Sequence, residues 1–479
     1  MKGKNLIKFA ATTAVLTPVA VALTKTLLSD RQESVYEPHG DEARVQSYAE
    51  KLSAMLQYDT TSYPGQEQRE KFLGFHKLLE ELFPQLHATL EKTEIDGNLF
   101  YYWKGKSSDK SLVLMSHQDV VPAEGEWLHG PFSGDIADGK VWGRGAADIK
   151  CGIMTFMQAI EELVSEGYTP DHDVYICSSC TEETGGDGGP KLVAELQRRG
   201  VRPWLLCDEG GAIVDEPMGG VKGSIAMIGV VEKGIANVRF IARSNGGHAS
   251  SPSKGTPIAR LAAFVHDVET NYPFRSEFLP QTEEMLNAMA PYSDFCLRLL
   301  LGNTWLFKPL LKKIMPVLSG EAAAMLRTTI AFTMQSGSEA FNVIPQEASV
   351  SANLRFIPHQ GRADSLEILR KRAEKFGLEM EVITSSECCP VVDTTSSGFN
   401  HVVETIKTTF PGLAYSPYVM TGATDARFYG DVCETCIRFA PLLYGKEQMK
   451  GMHGLNENMS ASCLTGAVDF YRNLITSNK

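Results

Sequence analysis

Residues 149–180 read IKCGIMTFMQAIEELVSEGYTPDHDVYICSSC, and the spacing of their apolar residues changes partway through. Ile149, Ile153, Phe156, Ile160, Leu163 and Val164 recur at helical spacing on one face, and Gly167 closes the run. From Asp173 the chain instead reads as an apolar strand, DVYICSSC. The same alternation occurs on both sides. Upstream, EARVQSYAEKLSAMLQY (42–58) has helical texture and SLVLMSH (111–117) that of a strand; downstream, a helix opens at Pro190 and stops at Gly200. Alternating helices and strands predict an α/β fold, a mostly parallel sheet with helices on its faces.

Near Glu232 the texture changes. ANVRFIAR (236–243) and EASVSANLRF (347–356) alternate like strands with one exposed face, and a long helical stretch separates them. Residues 234–357 therefore read as an α+β lid or dimerisation domain, with 261–328 as an extra helical part. It is inserted into a catalytic domain made of 41–233 and 358–479. Exposed edges on the strands around 236–243 would need a second copy, or some other cover, to satisfy their backbone groups.

A chain of 479 residues with 43% apolar content is long enough for two cores. Its net charge of -12 lacks the basic footprint of a nucleic-acid binder. At the N-terminus, Lys2, Lys4 and Lys8 precede an apolar, uncharged run from Phe9 to Leu23. Residues 1–38 thus read as a signal peptide or a membrane anchor, carried by 5–28, with the catalytic domain secreted or held outside the cytoplasm. Ala20-Val21-Ala22 resembles a cleavage site, whereas Leu27 and Leu28 resume the apolar pattern. The ten cysteines point the other way, because scattered thiols in apolar runs suit a reducing compartment. The pairs Cys177/Cys180 and Cys433/Cys436 lie in or beside strand-like segments and read as structural.

The strand at 173–180 runs into TEETGG, with Glu182 and Glu183 adjacent. Two carboxylates at the mouth of a sheet must be hydrated, hydrogen-bonded or paired with a cation. Other strand ends bring more donors: His117 and Asp119 in SHQDVVP, Asp148 in GRGAADIKCG, Asp208 in LLCDEGG, and His453 in a glycine-flanked loop. Strand ends are where open α/β sheets build sites. Two imidazoles with three or four carboxylates suit zinc and suffice for two ions.

The blocks SHQDVVP, GRGAADIKCG, TEETGG, DEGG, GGHASSP, FNVIPQEASVSANLRF, TGATDARF and MHGLNE occur in the order found in a known family. They resemble the dinuclear zinc exopeptidases and amidohydrolases of the aminoacylase, acetylornithine deacetylase and carboxypeptidase G2 type. PFSGDIADGKVWGRGAAD and the long helical insert look closest to the carboxypeptidase S and N-fatty-acyl-amino-acid hydrolase branch. The resemblance implies two Zn²⁺, with cobalt or manganese able to use the same ligands. One ion would be held by His117, Asp148 and Asp208, with Glu209 as the substitute for Asp208; the other would be held by Asp148, Glu183 and His453. It further implies that Asp119 orients His117 and that a cis peptide follows Asp148. Glu182 would be the general base, and His248 would donate to the oxyanion, reaching a site across the interface of a homodimer or by closure of its own chain. Asn342 and Arg355 would hold the substrate, and Gly422 would let backbone approach it. The implied substrates are small peptides, cut beside a free carboxylate, or N-acyl amino acids. A catalytically inactive binding module is the rival reading, and retention of Glu182 with the ligand set argues against it.

Overall fold

The computed structural model describes residues 17–38, 40–65 and 69–479. Its larger sheet has ten strands, in the order Glu91–Ile95, Asn98–Trp103, His172–Ser178, Ser107–Met115, Leu205–Asp208, Thr435–Arg438, Ser224–Glu232, Ala212–Asp215 and Leu443–Tyr444, with Ala414–Met420 joining Ser224–Glu232. The centre is parallel: Leu114 sits opposite Ile176 on one side and Cys207 on the other, and Ile437 opposite Cys207. These strands all end toward one rim, and the site is built there.

The helix that opens the sequence argument spans Lys150–Ser165, and it is buried on nearly every side rather than on one face. The sheet covers one flank, and helices Glu42–Leu56 and Ala461–Thr476 cover the other. Phe156 meets Tyr471 edge-on at 5.9 Å. A buried ring of that size contributes about 1.5–3 kcal/mol through apolar burial.

The second sheet is antiparallel, in the order Thr329–Ser336, Glu347–Phe356, Gly234–Arg243, Glu379–Ser385. Helices Pro257–Thr270 and Arg362–Glu374 pack on one face, with Phe240 and Phe264 at 4.5 Å and Leu366, Leu369 and Ala373 in the same core. Two expectations change here. The inserted body runs on to Ser385 instead of ending at 357, because its fourth strand pairs with Gly234–Arg243 from far along the chain. For the same reason ANVRFIAR is an interior strand; the edges are Thr329–Ser336 and Glu379–Ser385. Pairing with the catalytic sheet resumes at Cys389, whose N–H donates to Glu232 O at 3.3 Å, and continues at Val392, whose N–H donates to Val230 O at 2.9 Å.

The helices between 280 and 324 pack away from this second sheet. Met285, Leu286, Met289, Leu311 and Met315 form a cluster with Ile225, Met227 and Ala414 of the larger one. Residues 17–38 pack here too: Ala22 and Thr26 are buried, and Ser34 Oγ donates to Ser224 O and accepts from Ala414 N. Of the segment expected to be a signal or anchor, the described part, residues 17–38, lies against the fold, while residues 1–16 lie outside the described residues. Among the described residues no helix is long and apolar enough to cross a membrane. All ten cysteines are free thiols.

Candidate metal centre

His117 follows the strand Ser107–Met115 by two residues, and its ring is fixed at both nitrogens. Nδ1 donates to Asp119 O at 2.8 Å, which leaves Nε2 to face Asp148 Oδ1 at 3.1 Å and Glu209 Oε1 at 3.3 Å. On the other side of Asp148, His453 Nε2 lies 2.9 Å from Oδ2 and 3.3 Å from Glu183 Oε2. Two donor groups result, His117–Asp148–Glu209 and Asp148–Glu183–His453, and they share Asp148. The peptide bond after Asp148 is cis, as expected.

This set fits cations. Glu183 Oε1 is buried with no hydrogen-bond partner among the described residues, although its other oxygen faces His453. An unmet carboxylate oxygen among imidazoles and further carboxylates is a position for a positive ion. The electrostatics agree. Burial pushes Glu209 up to about 8, while hydrogen bonds to Asp148 and Glu183 lift His453 to about 10. Burial opposes charge on Asp148 too, yet the two histidines hold its carboxyl below the usual range. Protons occupy positions that a metal would neutralise.

Asp208 does not join either group, and this corrects the expected ligand set. Consecutive side chains of an extended chain point to opposite sides. Glu209 therefore faces the histidine, and Asp208 turns away to accept from Ala426 N at 2.9 Å. Asp119 faces His117 Nδ1 with its backbone oxygen at 2.8 Å and with its carboxylate Oδ1 at 3.5 Å, and it has a further task. Its backbone oxygen orients His117, whereas its fully buried carboxylate accepts from Ser62 Oγ at 2.7 Å and from the N–H groups of Glu182 and Glu183 at 3.1 and 3.2 Å. It fixes the turn that sends those two glutamates in different directions.

Glu182 belongs to neither donor group. Its carboxyl is held well above the usual range by burial, with Asp425 and Glu209 adding to the shift, and Arg427 Nη1 lies 3.6 Å from its Oε1. Arg355 reaches the same region from the second sheet. Its Nε donates to Asn353 Oδ1 at 3.2 Å, and the charges it feels include Arg427, Glu232 and Glu182. Gly422 has open space where a side chain would be, in a turn that Glu232 fixes by accepting from Thr424 N at 3.1 Å. His248 and Asn342 are not brought to the centre. They lie together on an exposed loop pair, where Ala249 N donates to Asn342 O at 3.0 Å and His248 Nδ1 meets Ser250 Oγ at 2.7 Å.

Sequence reasoning missed Arg427 and Glu457, although both lie in quoted blocks. Glu457 is buried, accepts from Ala147 N at 2.8 Å and Asp148 N at 2.9 Å, and pairs with Arg144 Nη1 at 2.6 Å. It clamps the turn that carries the shared aspartate. The final residue of MHGLNE was the available signal, since a glutamate four residues past a candidate ligand had no assigned task.

A family model described as Peptidase family M20/M25/M40 matches residues 113–477. The N-fatty-acyl-amino acid synthase/hydrolase PM20D1 of Xenopus tropicalis is 32% identical over 486 residues, covering 99% of this chain and 94% of that protein. "Probable carboxypeptidase S-like 2" of Dictyostelium discoideum is 31% identical over 446 residues, covering 90% and 85%. Among solved structures, the M20 family metallo-carboxypeptidase Sso-CP2 from Sulfolobus solfataricus superimposes with a TM-score of 0.65 at 18% identity, covering 91% of this chain and 99% of that one. Human carnosine dipeptidase 1 gives 0.62 at 14%, covering 91% and 97%.

Proposed function

The chain belongs to peptidase family M20/M25/M40, and from that premise we propose that it is a two-zinc hydrolase cutting an amide bond beside a free carboxylate. One observation supports the dinuclear reading above others: two donor groups share Asp148, and Glu182 stands beside them in neither. Zinc ions held by His117, Asp148 and Glu209, and by Asp148, Glu183 and His453, would supply Lewis acidity and a water of lowered pKa; cobalt and manganese suit the same donors. Glu182 takes a proton from the attacking water and passes it to the leaving amine nitrogen. Arg355 and Arg427 present guanidinium groups beside Glu182, where a substrate carboxylate can be held by two oxygens.

The first substrate class is the C-terminal residue of a small peptide, in keeping with the names of the carboxypeptidase and dipeptidase relatives. A second class, N-acyl amino acids, is favoured by the relative whose match covers 99% of this chain. His248 and Asn342 serve the site from a second copy of the chain. Their exposed loop pair supports this, because nothing among the described residues holds it at the metal centre. A hydrolysis screen of metal-loaded protein with dipeptides, longer peptides and N-acyl amino acids tests the proposal. Release of amino acid from peptides selects the first class and release from acyl substrates the second. No turnover of either overturns both.

A further inference from the structure

Away from the metal centre, one surface leaves apolar side chains uncovered. Helix Thr304–Leu318, TWLFKPLLKKIMPVL, buries Thr304, Leu311 and Met315 and turns its other side outward. Trp305 is 57% exposed, Leu310 44%, Ile314 38%, Val317 85% and Leu318 71%. Leu310, Ile314 and Val317 follow the i, i+4, i+7 spacing of a single stripe. The helix also carries Lys308, Lys312 and Lys313 with no acidic residue, in a chain whose net charge is -12. Lys308 pairs with Glu283 and Lys312 with Glu277, and Lys313 is exposed beside the stripe.

A second, separate feature meets this surface. The helix at residues 17–28 crosses the start of the Trp305 helix, where Lys25 Nζ donates to Gly302 O at 3.0 Å and Asn303 Nδ2 to Thr26 Oγ1 at 3.2 Å. It too exposes apolar groups, Val21, Leu27 and Leu28. The sequence just before it, from Phe9, is uncharged and apolar and follows Lys2, Lys4 and Lys8. The described helix that follows this basic, apolar sequence therefore lies beside the uncovered stripe. Between the two helices lies a cleft lined by Lys25, Arg298 and Trp305, together with Asp30 and Glu283. Buried Nε and Nη1 of Arg298 have no hydrogen-bond partner among the described residues.

We propose that this face, the Trp305 helix with residues 17–28, docks in the plane of an anionic lipid surface. Leu310, Ile314, Val317 and Leu318 enter the acyl boundary, and Lys313, Arg298 and Lys25 meet phosphate headgroups. In-plane contact suits the Thr304–Leu318 helix, whose 15 residues are too few to cross a bilayer. Trp305 lies where an aromatic ring with one polar edge favours the interface.

The test uses the full chain and vesicles of phosphatidylcholine with or without phosphatidylglycerol. Flotation should be stronger with the anionic lipid. The triple change Leu310→Ser, Ile314→Ser, Val317→Ser should reduce binding roughly tenfold or more while hydrolysis of a water-soluble substrate stays unchanged. Because residues 9–23 could hold the chain to lipid by themselves, a local signal is needed. Brominated lipids should quench part of the tryptophan fluorescence in the parent and not in Trp305→Phe. Flotation without that quenching removes the Trp305 helix from the contact. No flotation on either vesicle overturns the proposal, and if the triple change then abolishes self-association, the face joins copies of this chain.

Discussion

The two bodies of this molecule hold their chemistry in opposite ways. At the rim of the larger sheet, three of the five proposed ligands are fixed by neighbours outside the set: the Asp119 carbonyl orients His117, Glu457 clamps the turn that carries Asp148, and Asp119 anchors the turn that carries Glu183. On the second sheet, His248 and Asn342 sit exposed on a loop pair whose two strands hold each other. A preorganised site aims fixed groups at the reacting atoms and spends nothing to arrange them. The first region meets that standard alone. The second needs a movement or another copy, so the two should respond differently to the same kinds of change.

The largest effect should come from the first region. Chelation should abolish hydrolysis, and added zinc should restore it. Within that loss, Glu209→Ala should remove one metal per chain by elemental analysis, whereas Asp208→Asn should keep both, because Asp208 binds the backbone at Ala426. The reverse pattern would return Asp208 to the ligand set and undo the contrast between the two adjacent carboxylates.

Next in size is Glu182→Ala, which should keep both metals and lose about 10²–10⁴-fold in kcat, the range for a general base. Glu183→Ala should lose a metal instead. If Glu182→Ala loses metal while Glu183→Ala keeps two, the division made by the Asp119-anchored turn is wrong.

The first region was more legible in the sequence than the second, for a physical reason. Ligands at strand ends belong to local patterns, an apolar run followed by a turn, and one stretch shows both. The choice between Asp208 and Glu209 was harder, since it depends on which way the last strand residue faces, and that is set by pairing with Thr435–Arg438, more than two hundred residues away. The second sheet hid more. ANVRFIAR looks the same as an edge or an interior strand until Glu379–Ser385 pairs with it. The basic, apolar N-terminus was legible, but its packing on helices near 290–303 had no signature in spacing.

His248→Ala comes third, at about 10²–10³-fold in kcat with metals retained, the scale of one lost oxyanion donor. The interior position of Gly234–Arg243 removes the argument that its edges call for a second copy, so donation across an interface rests on the exposed loop. Mixing Glu182→Ala with His248→Ala protein under conditions of subunit exchange should recover activity, because one site in each mixed dimer keeps both residues. No recovery despite demonstrated exchange would mean that the loop closes over its own chain's centre or takes no part.

The smallest effect should separate the two arginines, one from each region, that meet near Glu182. Arg427 lies on the larger body, 3.6 Å from the Glu182 carboxylate, and Arg355 comes from the second sheet, half-buried and bonded among the described residues through Nε to Asn353. A guanidinium already facing a carboxylate has less to offer an incoming one, whereas the remaining donors of Arg355 are free to form a fork. Arg355 should therefore set the preference for a free acid. Losing a charged hydrogen-bonding pair typically costs about 1.5–3 kcal/mol, so Arg355→Met should lower kcat/KM for the free acid on the order of ten- to a hundredfold and leave the amidated substrate nearly unchanged. Arg427→Met should weaken both substrates by a similar, smaller factor, since it acts on Glu182 and not on the distinguishing carboxylate. Equal discrimination in parent and Arg355→Met protein, with discrimination lost in Arg427→Met, would move carboxylate recognition to the larger sheet. The second sheet would then contribute nothing within its own chain, and the contrast between the two bodies would be complete.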